Sequence, residues 1–343
     1  MLSMVSFSRC FVVLALAVLG SASSGDRAHI YQNCVSICHA QRCVSPSTSL
    51  PLFLRLTQWT CTDDCKYGCM HTITDKAVEA GLQVEQYYGK WPFWRLFGMQ
   101  EPASVAFSLL NLWFHAQGAR QILSQVPSKH PMKLYYLVWA FISVNAWTWS
   151  SIFHTRDLPF TEKLDYLSAA MAILFALYYT VLRFYHLYPL VQGCTQNAAI
   201  SQQWRKPLYL AWSSACTIIY IAHVSYLTLP PRFDYSYNIL FNLSLGLIHN
   251  FLWLAYSLPA SFSVLRRFPF RPKSYRPKFA SKAAVFVLLT TAATALELFD
   301  FPPWGRIIDA HSLWHLSTAP IVKFWYDFLI EDALDDGWRD QRM

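Results

Sequence analysis

From residue 103 onward the chain alternates long apolar runs with short polar connections. The runs fall at about 103–119, 133–153, 163–184, 207–227, 237–258, 281–298 and 309–330. Most approach the ~20 residues that an α-helix needs to cross the hydrocarbon of a bilayer. The pattern predicts an all-α polytopic membrane protein with seven transmembrane helices, over residues 98–330. Residues 331–343 form a polar, acidic tail.

The segment before the first run behaves differently. Residues 1–24 carry Arg9, a short apolar stretch from Phe11 to Leu19 and the small residues "GSASSG". That is the pattern of a secretory signal peptide, too short for a spanning helix. The mature chain is expected to start near Gly25, with a lumenal N-terminus. Residues 25–97 hold Cys34, Cys38, Cys43, Cys61, Cys65 and Cys69. Six cysteines in so short a secreted segment read as disulfides, because a piece this small cannot hold itself by a core alone. Their spacings miss the C-x2-C pairs usual for zinc. Spacing does not choose among the fifteen possible pairings.

Charge gives an independent test of topology. With a lumenal N-terminus, the connections after the first, third and fifth runs are cytosolic. They hold three, three and seven Lys or Arg residues and no acidic residue, whereas the opposite connections hold four. Excess basic charge in short loops marks the cytosolic side. It accounts for the net charge of +8 without a nucleic-acid partner. Composition agrees: 54% of residues are hydrophobic and only 14% charged, against ~25% charged in soluble domains. The stretch "QYYGKWPFWRLFGMQEP" before the first run reads as an aromatic belt at the membrane interface. Asn242-Leu-Ser244 matches a glycosylation acceptor but lies inside an apolar run. No repeat, Walker loop or dinucleotide fingerprint is present.

Some polar residues sit where the runs end. Ser150 and His154 are four apart and share one helical face. Asp165 follows eleven residues after His154, beyond a short turn. His311 and His315 repeat the four-residue spacing at the start of the last run, a recurrent zinc-binding pattern. By the topology above, all five lie in the lumenal half of the bundle. Ionisable groups inside a membrane are costly and usually functional. Three imidazoles with an open fourth position describe a hydrolytic zinc site; a structural polar network, or a receptor or channel, would use the same residues differently. His223 and His249 are expected to cap a helix or bond a neighbour. Glu297 and Asp309 are expected to be surface carboxylates of a loop, support for the histidines being the alternative.

The combination S-x3-H, an Asp eleven residues on and a final H-x3-H resembles the signature of the CREST superfamily of seven-helix membrane hydrolases. The stretches "WTCTDDCKYGCMH", "SSIFHTRDLPFTEKLDYLSA" and "FDFPPWGRIIDAHSLWHLSTAP" resemble its Per1-like family. The resemblance runs from Asp26 to about Trp325, with no departure at the five site positions. It implies a GPI-specific phospholipase A2 activity that removes the unsaturated sn-2 chain from GPI anchors attached to proteins. It also implies zinc held by His154, His311 and His315, by analogy with the superfamily's ceramidases. Asp165 is then the expected general base and Ser150 the donor to the oxyanion; a rival makes Ser150 the nucleophile with His154 as its base. GPI-anchored proteins and membrane lipid are the expected partners, with no obligate protein partner. A Golgi location is expected, the endoplasmic reticulum being the alternative. A ceramidase-like amide hydrolase and a non-catalytic receptor or scaffold are the other functions the residues admit.

Overall fold

The computed structural model describes residues 23–44, 49–188, 196–269 and 271–341. The signal-peptide expectation falls almost entirely outside the described residues, as does Cys194. The described residues form ten α-helices and no strand of a sheet. They are α1 (His29–Arg42), α2 (Leu52–Leu56), α3 (Cys61–Glu79), α4 (Pro102–Gln125), α5 (Lys133–Thr155), α6 (Pro159–Phe184), α7 (Gln196–Thr228), α8 (Tyr235–Ser257), α9 (Ser281–Leu298) and α10 (Ala310–Leu334). Each apolar run overlaps one of α4 to α10. Among the described residues, four spans are long and apolar enough to cross a membrane: Pro159–Phe184, Arg205–Thr228, Tyr235–Ser257 and Lys278–Leu298. This is a multi-pass membrane protein. The most apolar 18-residue window of the Arg205–Thr228 span is only 11% buried within the protein; such a surface needs lipid rather than water around it.

The chain divides into two compact units. The first comprises residues up to Val105, His154–Asp157 and Leu296–Leu313; the second comprises Ala106–Phe153, Leu158–Ala295 and the chain from Trp314 onward. Helices α4, α5, α9 and α10 contribute residues to both.

In the first unit, α1 and α3 pair and are stapled by three nested disulfides, Cys34–Cys69, Cys38–Cys65 and Cys43–Cys61. Four-residue spacing puts Cys34 and Cys38 on one face of α1, and Cys61, Cys65 and Cys69 on one face of α3. Two antiparallel helices then meet as a ladder. Thr60 caps α3: its side chain accepts from Asp63 N, and Asp63 reaches back to Thr60 N at 3.1 Å, which satisfies two otherwise orphaned donors. Three tight turns follow, at Tyr87–Lys90, Leu96–Met99 and Trp304–Ile308. In the first two, both central residues take positive φ: Tyr88 and Gly89, then Phe97 and Gly98. Gly98 is constrained twice over. Its φ is +86°, and a Cβ there would lie 2.4 Å from Thr57 Oγ1. Distant segments are tied in by backbone bonds. Trp94 N donates to Arg306 O at 2.9 Å, and Gln100 N donates to Thr155 O at 3.0 Å. His71 is clamped between Arg306, which donates to its Nδ1 at 3.0 Å, and Phe93 O, which accepts from its Nε2 at 3.1 Å. Burial pushes this imidazole down to about 4.

The nesting has a testable consequence. A lone bridge closing a loop of this size contributes about 3–4 kcal/mol in the chain-entropy view. Here each rung's neighbours already hold its ends together. Cys38→Ser/Cys65→Ser is therefore expected to cost well under that figure, and loss of all three rungs to release α1 from α3. Protease resistance of the unit measures this; collapse on removing the middle rung alone would contradict it.

In the second unit, α6 packs on α7 and α8, around a core rich in aromatic residues that includes Trp253, Trp325, Tyr136, Tyr179, Tyr326 and Phe328. Gly118 lets α4 approach closely, since a Cβ there would lie 2.3 Å from the Tyr326 ring. Arg183 and Asp332, both fully buried, form a bidentate pair at 2.9 Å for each bond. His223 departs from expectation: neither ring nitrogen has a hydrogen-bond partner, and the ring stacks on Phe241 at 3.9 Å. Its neighbours on α8 are aromatic, so burial is met by ring stacking instead of a bond. His249 does contact Asn250 Oδ1 at 3.4 Å, while its Nε2 has no partner.

Candidate active site

The site is built from helix ends. α5 carries Ser150 and His154 one turn apart, and α10 carries His311 and His315 one turn apart. Asp309 starts α10: its Oδ1 accepts from Ser312 N at 2.8 Å, and Ser312 Oγ accepts from Asp309 N at 3.0 Å. Asp309 is 5% exposed. It is a buried cap and not the surface carboxylate expected, because the chain needs an acceptor where the helix's first N–H groups are unpaired.

Within the first unit, His154 and His311 face each other, Nε2 to Nε2, at 3.3 Å. The far side of each ring is held by a carboxylate. His154 Nδ1 donates to Glu101 Oε2 at 2.7 Å, and His311 Nδ1 donates to Glu297 Oε2 at 2.7 Å. Glu297 therefore supports a histidine, against the expectation of a bare surface group. Glu101 is gripped in turn by Lys90, which also pairs with Asp157 at 3.3 Å. Burial by itself would raise the Glu101 carboxyl; Lys90 and His154 outweigh it and hold the group ionised, well below the usual carboxylate range. Glu101 N also donates to His154 O at 3.0 Å, locking the loop to the end of α5.

Within the second unit, Ser108 Oγ lies 2.9 Å from His315 Nδ1 and 3.0 Å from Ser150 Oγ. All three are buried. Asn111 Nδ2 donates to His315 O at 2.7 Å, and the Trp147 and Trp314 rings meet the imidazole edge-on at 5.1 and 5.0 Å. Asp165 lies half-buried on α6.

The donor set fits a small divalent metal. His154 and His311 each have a carboxylate partner at Nδ1, which leaves Nε2 as the nitrogen free to bind, the arrangement seen behind metal-bound imidazoles. Two such nitrogens 3.3 Å apart repel unless a proton or a metal cation lies between them. Two ligands on a tetrahedral ion with bonds of roughly 2.0–2.1 Å stand about 3.4 Å apart.

Sequence reasoning missed Glu101, Lys90 and Ser108. One signal for Glu101 existed: it is the sole acidic residue between Glu85 and Asp157, at the head of an apolar run. Lys90 and Ser108 carried none, because a lysine in an aromatic belt and a serine in a membrane helix are ordinary.

The fold and the site together define a multi-pass helical membrane protein with carboxylate-backed histidines at its helix ends. The chain matches the Per1-like family over residues 51–333, and it belongs to that family. It is 39% identical to "GPI-specific phospholipase A2-like PGAP3" of Xenopus laevis, over 94% of each chain. It is 40% identical to "Protein PER1 homolog" of Schizosaccharomyces pombe, over 95% of this chain and 92% of that one. It is 37% identical to "Post-GPI attachment to proteins factor 3" of Drosophila melanogaster, over 94% of each. No solved structure matches.

Proposed function

We propose that this protein is a GPI-specific phospholipase A2. It removes the unsaturated sn-2 acyl chain from GPI anchors already attached to proteins. The observation that carries the chemistry is the facing pair of His154 and His311, each backed by a carboxylate at 2.7 Å. The substrate follows from the names of relatives that align over nearly the whole chain.

His154, His311 and His315 would hold one divalent metal, with zinc favoured by an all-imidazole donor set. Bound there, the metal would lower the pKa of a water toward about 7 and polarise the ester carbonyl. Asp165 accepts the proton of the attacking water and returns it to the departing glycerol oxygen. Ser150 donates a hydrogen bond to the oxyanion, oriented by Ser108 at 3.0 Å. Glu101 and Glu297 hold the imidazoles in one tautomer and one orientation.

The loop charges support a lumenal N-terminus and a cytosolic tail, which puts these helix ends on the side where GPI-anchored proteins display their glycan. A Golgi membrane is the proposed location. A ceramidase-like activity is the second reading, since an amide would meet the same donors.

Expression in cells lacking this activity tests the proposal. Mass spectrometry of a GPI-anchored reporter should show the sn-2 chain removed; an unchanged chain with well-folded protein would sink it. Glu101→Gln removes the charge behind His154 and is expected to lower metal affinity or acyl release about 10–100-fold. Metal content of the purified variant checks this directly, and wild-type occupancy at limiting metal would contradict it.

A further inference from the structure

An open cavity of about 460 Å³ lies where α7 ends and α8 begins. Its size is within the roughly 300–1,000 Å³ of small-molecule sites. The lining includes Tyr226, Arg232, Phe233, Asp234 and Tyr235. Most of its polar groups are occupied in building the wall. Asp234 caps α8, its Oδ1 accepting from Tyr237 N at 2.9 Å, and its Oδ2 accepts from Tyr226 OH at 3.0 Å. Tyr235 OH donates to Glu162 on α6. Arg232 differs: it is exposed at the cavity, with no hydrogen bond or ion pair among the described residues. A guanidinium with its planar donors uncommitted suits a phosphate, which it can meet through two parallel bonds. The surrounding rings offer apolar faces for the C–H face of a sugar.

The same wall joins the elements of the candidate active site. Tyr166, the residue after Asp165, stacks on Phe233 at 5.1 Å and meets Tyr235 edge-on at 5.8 Å. Phe153, the residue before His154, packs on Tyr166 at 6.1 Å. A group held in the cavity is therefore tied through Tyr166 to the part of α6 that carries Asp165.

We propose that this cavity binds the phosphoinositol part of the lipid headgroup, with Arg232 on the phosphate and the Phe233 and Tyr235 rings against the cyclitol. The inference rests on the proposed activity for its choice of ligand: in a phosphoinositol lipid the phosphate is attached one carbon from the sn-2 ester. The cavity would thus select the lipid class and set the ester's position.

Binding without turnover provides the test, and so separates this inference from the activity. Full-length protein in alkyl maltoside micelles is titrated with myo-inositol 1-phosphate, choline phosphate and inorganic phosphate, followed by ligand-observed NMR. Saturable binding of inositol 1-phosphate, tighter than the other two and weakened tenfold or more in Arg232→Gln, is the expected result. Equal binding of inorganic phosphate would reduce the cavity to an unselective anion site and overturn the proposal. So would equal binding of choline phosphate, or an Arg232→Gln protein that binds as wild type does. In turnover assays with a GPI lipid, Arg232→Gln should raise KM with kcat little changed. If wild type binds inositol 1-phosphate but releases no acyl chain, the activity fails while the headgroup site stands.

Discussion

His315→Ala is expected to lower release of the sn-2 acyl chain by on the order of a thousandfold, with the protein still folded. A metal stabilises charge in the transition state by several kcal/mol, and each 1.4 kcal/mol is about tenfold in rate. Losing one of three ligands forfeits most of that. At the side chain the bond with Ser108 at 2.9 Å is lost, while Asn111 binds the main-chain oxygen of residue 315, which alanine keeps. Ser150→Ala provides the contrast. Loss of an oxyanion donor costs about 10²–10³, leaving measurable activity, and a serine-reactive probe should not label Ser150. Complete inactivity of Ser150→Ala together with labelling of Ser150 would instead make it the nucleophile. Released fatty acid from a GPI lipid in micelles reads all of these.

The largest effect on stability is expected far along the chain from the histidines. Arg183→Met should destabilise the bundle by about 3–5 kcal/mol, because it strands the Asp332 carboxylate without its cation. Both side chains are fully buried, and the guanidinium also lies 4.5 Å from the Trp338 ring and 4.8 Å from that of Phe268. Tyr256 OH, 2.7 Å from Asp332 Oδ1, cannot replace a cation. Arg183→Met/Asp332→Leu should recover most of the loss, since apolar residues of similar volume commonly substitute for a buried pair. Chemical unfolding in detergent compares the three proteins. A single variant as stable as wild type would contradict this reading of the pair.

The helices were legible because hydropathy and helical structure coincide where a chain meets lipid. They diverge at the ends. α7 starts at Gln196, well before the apolar run at 207, because "QNAAISQQWR" forms helix without being apolar. The faces of the cysteines could be read from their four-residue spacing, but their pairing needed the antiparallel register of α1 and α3. The histidine pairs were legible for the same reason, as two residues one turn apart. What holds them was mostly not. Glu101 reaches His154 across 53 positions, and Ser108 reaches His315 across 207; no local pattern encodes such contacts. Glu297 and Asp309 were visible as acids near the last helix, yet the bonding of both and the burial of Asp309 follow from the packing of the 296–313 segment within its unit. Arg232 was visible only as one of four basic residues on the expected lumenal side, and only the cavity beside it gives it a role.

Metal dependence is the most direct test. Purified full-length protein is stripped with a chelator, assayed for sn-2 release from a GPI lipid, then reloaded with stoichiometric zinc. Loss of activity on stripping, return with about one zinc per chain, and no return in His315→Ala are the expected results. Undiminished acyl release from protein with no detectable metal would contradict the three-histidine site.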